Sequence, residues 1–335
     1  MSAPTCLLLG RLQRDTVITS DGAARIDQLG GNLLYAAAAC RLRGESPGLL
    51  ARVGSDFPPH WLQELTDKEC DIRGVRVLDD PIDLRRFIAY SSVYQGRGDH
   101  PVKHFAKWGL PFPKILLQYP KGARRLDSKT QRSWLTLRPA DLPQAYRGTR
   151  AAHLCRLEFL SHSIMPAALR QLEVTQVTLE AGSGYMHPAF WNEMPGLLNG
   201  LTVFISEEAQ LRTLFGARTD DLWEMIETLA SYNCAAVLVR LAAQGIRLYE
   251  AGSRKHYQLP AYPARTYDIT DNGSSFGGCF AAELARSQDL PRALLVGAAV
   301  ASLASEGSGA FYMLDCLPGL VESRSQALEQ ALKRI

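Results

Sequence analysis

Asp268-Ile-Thr-Asp-Asn-Gly-Ser-Ser-Phe-Gly-Gly-Cys-Phe280 is the stretch whose reading decides the fold. Phe276, Phe280 and Leu284 recur every four residues, the spacing of one helix face, and Cys279 widens the stripe. Ser274 and Ser275 precede it and are good N-cap residues, so the pattern predicts a helix over 274–287. The loop 270–273 then sits at a helix N-terminus, where free N–H groups and the helix dipole favour an anion. An ordinary capped helix after a turn accounts for the same residues, and the stretch alone leaves both readings open.

Outward from it, short β-type runs alternate with helical patterns. Strands are expected at Cys6–Leu9, Leu49–Val53, Ala151–Leu154, Gln176–Leu179, Thr202–Ile205 and Ala235–Leu241. Helices are expected at Leu33–Arg43, His60–Glu69, 291–304 and 323–334, with Pro291 well placed at a helix start. Such alternation implies an α/β fold with a mostly parallel central sheet and helices on both faces. Ligands of such sheets bind outside the carboxyl ends of the strands.

The chain has 335 residues, 46% hydrophobic, enough for one α/β domain spanning 1–335. A formal net charge of +3 does not by itself imply a nucleic-acid partner. Seven cysteines, with no C-x-x-C, point to free thiols and a cytoplasmic setting rather than a disulfide framework or a structural zinc. No apolar run approaches the length of a membrane span, and no signal peptide is evident.

One region breaks the rhythm, at about 84–138. Residues 84–95 read as extended edge strands. Residues 101–138 carry nine Lys or Arg against the single acid Asp127, a local net of +8. A solvated insertion, a positive lip for phosphates or an acidic partner, and a nucleic-acid surface using Trp108, Phe112, Tyr119 and Trp134 all fit that composition. Aromatics in an insertion more often anchor it to the domain. His153 and His162 read as a core and a loop histidine. Glu207-Glu208 reads as a helix N-terminal acid pair.

The opening stretch resembles the second signature of the ribokinase-like (PfkB-type) carbohydrate kinases, D-x-T-G-A-G-D-x-F-x-G-G-F. Asp268, Thr270, Gly273, Phe276, Gly278 and Phe280 fit it. Four further stretches are similar, in order. They are Asp15 after the first strand; Gly30-Gly31-Asn32 through Ala37, with Arg41-Leu42 and Gly44; Val53-Gly54-Ser55-Asp56; and Thr136 to Leu142. The resemblance implies a three-layer ribokinase-like fold with a small β lid over the substrate at about 84–100, lids that pair in a homodimer, and ATP with Mg²⁺ as cofactors. It implies that Asp15, Gly30, Gly31, Asn32 and Tyr35 face a sugar or nucleoside. Asn272, Gly273, Arg240 and Gly245 would face the phosphates and nucleotide, and Glu207 or Glu208 the magnesium shell.

The sequence departs from the pattern at the site. Ser274 stands where the family's catalytic aspartate takes the proton of the attacking hydroxyl, and Asp271 is a displaced candidate base three residues away. Tyr35 replaces an asparagine. Arg240 opens the T-x-G-x-x-G segment, and Glu180 is the surviving acid of a D-x-N-x-R motif. Loss of a general base costs roughly 10²–10⁴-fold. The expectation is ATP-dependent phosphoryl transfer to a sugar or nucleoside hydroxyl with weakened activity. The alternative is an inactive pseudokinase that binds a sugar, nucleoside or nucleotide and acts through a partner.

Overall fold

The structure, a computed structural model, describes residues 3–120 and 126–335. Its strands are β1 (Cys6–Leu9), β2 (Gln13–Ile18), β3 (Ala24–Gly30), β4 (Gly48–Val53), β5 (Asp71–Val77), β6 (Arg85–Ser92), β7 (Gln95–Arg97), β8 (Ala151–Leu154), β9 (Gln176–Glu180), β10 (Val203–Glu207), β11 (Ala236–Arg240), β12 (Ile246–Glu250), β13 (Lys255–Leu259) and β14 (Lys333–Arg334). Its helices are α1 (Asn32–Leu42), α2 (Pro59–Asp67), α3 (Pro101–Lys107), α4 (Phe159–Gln171), α5 (Met194–Leu198), α6 (Glu208–Phe215), α7 (Leu222–Ala230), α8 (Asn272–Ser287), α9 (Leu290–Ala304) and α10 (Leu320–Ala331).

The main sheet runs β14-β13-β12-β11-β10-β9-β8-β1-β4-β5. From β11 to β5 every pairing is parallel, and β11 to β14 are antiparallel. β1 and β4 are buried along their whole length, as expected of parallel strands covered on both faces. One core lies under α1, α8, α9 and α10, the other under α4 to α7. Helix α8 packs against α1 at backbone distance. A Cβ on Gly278 would fall 2.5 Å from the Ala36 carbonyl oxygen, so only glycine admits this approach. The close packing fixes the α8 N-terminus over the carboxyl ends of the strands.

Helix α8 begins two residues before the expected start. Asp271, in a left-handed conformation (φ 49°), holds the N-cap position, and Ser274 and Ser275 lie in the first turn. Their amides bond back to the Asp271 carbonyl, so neither serine is the cap. His162, expected in a loop, lies buried in α4.

A second sheet, β3-β2-β6-β7, forms the lid. Its second half, β6 and β7, falls within the expected 84–100. Its first half, β2 and β3, lies outside that range. Alternate residues of β6 face opposite ways. Arg86, Ile88 and Tyr90 line the cleft below, while Phe87 and Ala89 pack with Ile18, Phe105 and Leu116 above. The insertion is therefore partly a lid cover. Phe105 meets Phe112 edge-on at 5.6 Å, and Tyr119 lies 6.3 Å from Phe87. A homodimer formed through this lid face would have to displace α3. Of the basic residues in the insertion, Lys121, Arg124 and Arg125 lie outside the described residues.

Candidate active site

A cleft of about 1040 Å³ separates the underside of the lid from the α8 N-terminus and the carboxyl ends of the parallel strands. That volume is at the upper end for small-molecule sites. One half lies under β6 and β7; the other runs beneath 240–246, 260–266 and α9.

Under the lid, Asp15 does not face the cleft with free oxygens. Arg86 holds it bidentately, Nε to Oδ1 at 2.9 Å and Nη2 to Oδ2 at 2.5 Å, and the Gly31 amide donates to Oδ2 at 3.2 Å. Fork-to-carboxylate pairs of this kind are strong and directional. A Cβ on Gly30 would strike the Asp15 carboxylate, so this glycine makes room for the ion pair. Gly31 (φ 93°) needs glycine, since a Cβ would sit 2.3 Å from the Arg11 carbonyl oxygen. Asn32 lines the cleft, but both ends of its amide are engaged. Oδ1 accepts from the Arg11 amide and Nδ2 donates to the Arg156 carbonyl. Tyr35 is buried away from the cleft against Arg25, and burial holds its hydroxyl above the usual phenol range.

Arg86 also reaches Asp271 Oδ2 at 2.6 Å, and Arg156 reaches Asp271 Oδ1 at 3.0 Å. Burial raises the Asp271 pKa, but the two guanidiniums outweigh it and hold the carboxyl below the usual range. A carboxylate held in this way is a poor proton acceptor. Ser274, at the catalytic position of the motif, is fully buried, and its Oγ donates to Glu180 Oε2 at 2.7 Å. Its hydroxyl is turned from the cleft, which Asp271, Asn272 and Gly273 line instead.

The α8 N-terminus and Arg240 suit an anion. Arg240 Nη1 is buried without a partner among the described residues. Burial lowers its pKa, and Glu207 and Glu180 only partly offset this. The guanidinium lies so close to Gly273 that a Cβ there would clash with Nη1. Asn272 Oδ1 is likewise unpartnered. Gly245 lines the cleft with the small residues Ala298 and Ala301. These residues fit the phosphates and base of a nucleotide such as ATP. They do not fit a protein-ligated Mg²⁺. Glu208 is engaged by Arg212 at 2.7 Å, Glu207 stands 3.7 Å from Arg156, and the described residues contain no group of three or more His, Cys, Asp or Glu able to hold a metal ion. A magnesium ion here would be carried by phosphate and water oxygens.

The structure thus brings Asp15, Gly31, Asn32, Asp271, Asn272, Gly273, Arg240 and Gly245 to one region. It leaves Tyr35 and Ser274 behind the cleft wall and puts Glu207 and Glu208 at its edge. Sequence reasoning missed Arg86 and Arg156. They sit 71 and 115 residues from their carboxylate partners, on a lid strand and after β8, with no local motif around them.

Residues 158–315 match the family model described as pfkB family carbohydrate kinase. The cytidine kinase of Thermococcus kodakarensis is 22% identical over 295 residues, covering 87% of this chain and 92% of that protein. An Arabidopsis thaliana ribokinase bound to ribose and ATP superposes with a TM-score of 0.68 at 19% identity, covering 97% and 99% of the two chains. A ribokinase II from E. coli bound to ATP and Mg²⁺ gives 0.68 at 16% identity, covering 98% and 100%. The fold is ribokinase-like, and residues 158–315 are similar to the pfkB family of carbohydrate kinases.

Proposed function

We propose that this chain, with residues 158–315 similar to the pfkB family, binds a sugar or nucleoside under the lid beside a nucleotide phosphate site, and that phosphoryl transfer to the ligand's hydroxyl is slow. One observation carries the reading: among the described residues, α8's own N-terminus offers the cleft no unpaired carboxylate. Ser274 replaces the base and donates inward to Glu180, and the carboxylate that does line the wall, Asp271, is held by Arg86 and Arg156.

Phosphoryl transfer depends mainly on positioning and on positive field around the transferring group. Arg240, the Gly273 amide and the α8 dipole supply that field. When bound, ATP would supply the phosphoryl group, its phosphates at Gly273 and Arg240 and its base beside Ala298 and Ala301. Among the described residues, the α8 N-terminus presents no unpaired carboxylate to take the acceptor proton. That shortfall corresponds to roughly 10²–10⁴-fold in rate and leaves binding intact.

The test is thermal stability of the purified protein against sugars and nucleosides, free and phosphorylated, and against Mg-ATP, each alone. A ligand at 100 times its dissociation constant stabilises by about 2.7 kcal/mol. The reading expects a shift from at least one sugar- or nucleoside-type ligand. It is abandoned if none produces one.

A further inference from the structure

The hydrogen-bonding inventory under the lid is lopsided. Arg11, Arg86 and Arg156 all line this half of the cleft. A carboxylate fixes one edge of each. Arg11 Nη2 goes to Glu158, Arg86 Nε and Nη2 to Asp15 and Asp271, and Arg156 Nη2 to Asp271. A guanidinium has five N–H donors in a rigid fork, so the edge fixed by a carboxylate orients the rest; Arg156 turns its other nitrogens to carboxylates as well, Nε 3.4 Å from Glu180 and Nη1 3.7 Å from Glu207, and the unspent donor is on Arg86. Arg86 Nη1 makes no hydrogen bond among the described residues. Arg97, on the lid strand above, also lines the cleft without an ion pair among them.

Free acceptors are fewer: among the described residues of the cleft, Asp127 Oδ1 and Asn272 Oδ1 accept no hydrogen bond. Each oxygen of Asp15, Asp271 and Glu158 already accepts a hydrogen bond from protein. A neutral sugar hydroxyl needs an acceptor for its proton, and Asp15, the residue suited to give one, lies behind Arg86. A group with several acceptor oxygens and no proton to place meets these donors without loss.

We infer that the ligand carries an oxyanion, a phosphate or a carboxylate, on the part that enters under the lid, and that Arg86 is the residue that selects it. The inference rests on the ligand-binding reading above and narrows its ligand to acidic or phosphorylated sugars and nucleosides. In this arrangement Asp15 is a positioning residue: it orients the Arg86 fork and touches no ligand.

The experiment is the thermal-shift titration of the full chain with ribose against ribose 5-phosphate, and cytidine against cytidine 5′-monophosphate. A sugar acid separates carboxylate from phosphate recognition, and Arg86→Gln and Arg86→Lys are run alongside. The expected result is a shift from an oxyanion-bearing ligand and none from its neutral parent. Arg86→Gln then weakens binding at least tenfold, and Arg86→Lys, which keeps the charge but loses the fork, weakens it less. Should the glutamine variant not fold, the lysine variant carries the comparison. Neutral parents binding as tightly as their charged forms overturn the inference and leave the proposed function standing. A charged ligand that binds both Arg86 variants as tightly as the unaltered protein overturns the role of Arg86. Failure of every ligand, neutral or charged, removes both.

Discussion

Ser274 Oγ donates its hydrogen bond to Glu180 Oε2 across 2.7 Å, and this turns the residue at the catalytic position away from the cleft. Both residues are buried, Glu180 at the end of β9 and Ser274 in the first turn of α8. The pair therefore ties helix to sheet.

Ser274→Ala separates the structural role from a catalytic one. A hydrogen bond to a charged group contributes about 1.5–3 kcal/mol, and its loss leaves Glu180 short of a donor. Chemical denaturation should show a loss of that size, while any residual phosphoryl transfer stays within about twofold. A large drop in transfer at unchanged stability would place the hydroxyl in the reaction.

Arg86 joins a lid carboxylate to a core carboxylate, with side-chain exposures of 18% for Arg86, 6% for Asp15 and 5% for Asp271. Removing one member of a buried pair leaves a charge uncompensated, which costs about 3–5 kcal/mol. Arg86→Met is expected to destabilise by that order, and adding Asp15→Asn should recover part of the loss. Additive losses in this double-mutant cycle would mean that the two residues are not coupled.

Two buried histidines are expected to contribute to the loss of stability in acid. His162 lies buried with Nδ1 2.8 Å from the Tyr185 hydroxyl and Nε2 2.9 Å from the Cys155 carbonyl, and the Leu157 amide donates to the same Nε2. Burial pushes its pKa down to about 4, and that of His153 to about 3. Because these folded values lie below the unfolded value near 6.5, the folded protein binds fewer protons than the unfolded chain. The contribution is present above about pH 6.5 and is lost progressively as pH falls toward 4 and then 3. It amounts to roughly a few kcal/mol per residue. Denaturation midpoints should fall between pH 7 and 5, less steeply in His162→Gln. Identical slopes would show that carboxylates alone govern the decline.

The lid cover bears on assembly. Phe105 and Leu116 bury Phe87 and Ala89 of β6 within one chain. Sedimentation is expected to show a monomer. Phe105→Asp, which places a charge in that small core, should expose the lid face and promote self-association or a loss of several degrees in Tm. A stable dimer in the unaltered protein, lost in the same variant, would contradict this assignment.

The legible parts of the sequence were those with local periodicity. β1 and β8 appear with their expected bounds, and α8 and α9 within two residues of theirs, because four-residue spacing and apolar runs are decided by near neighbours. The first lid strands escaped notice because β2 holds Gln13, Arg14 and Asp15 in a row and shows no clean alternation. The site was half legible. The sequence singled out Asp15 and Gly273 as motif matches and Asp271 as a displaced candidate base, but what Asp15 and Asp271 touch depends on Arg86, 71 and 185 residues away. No local pattern announces a single arginine on an edge strand as the partner of two distant carboxylates. The direction of the Ser274 hydroxyl depends equally on Glu180, which is supplied by another strand.

The most direct measurement is transfer of the γ-phosphate from Mg-ATP to whichever ligand the thermal panel selects, at saturation of both. A ligand that binds but turns over at least about a hundredfold below the roughly 1–100 s⁻¹ usual for kinases is the predicted result. Turnover within that range would contradict the account, because it would require a proton acceptor that the Ser274–Glu180 and Asp271–Arg86 arrangements do not provide.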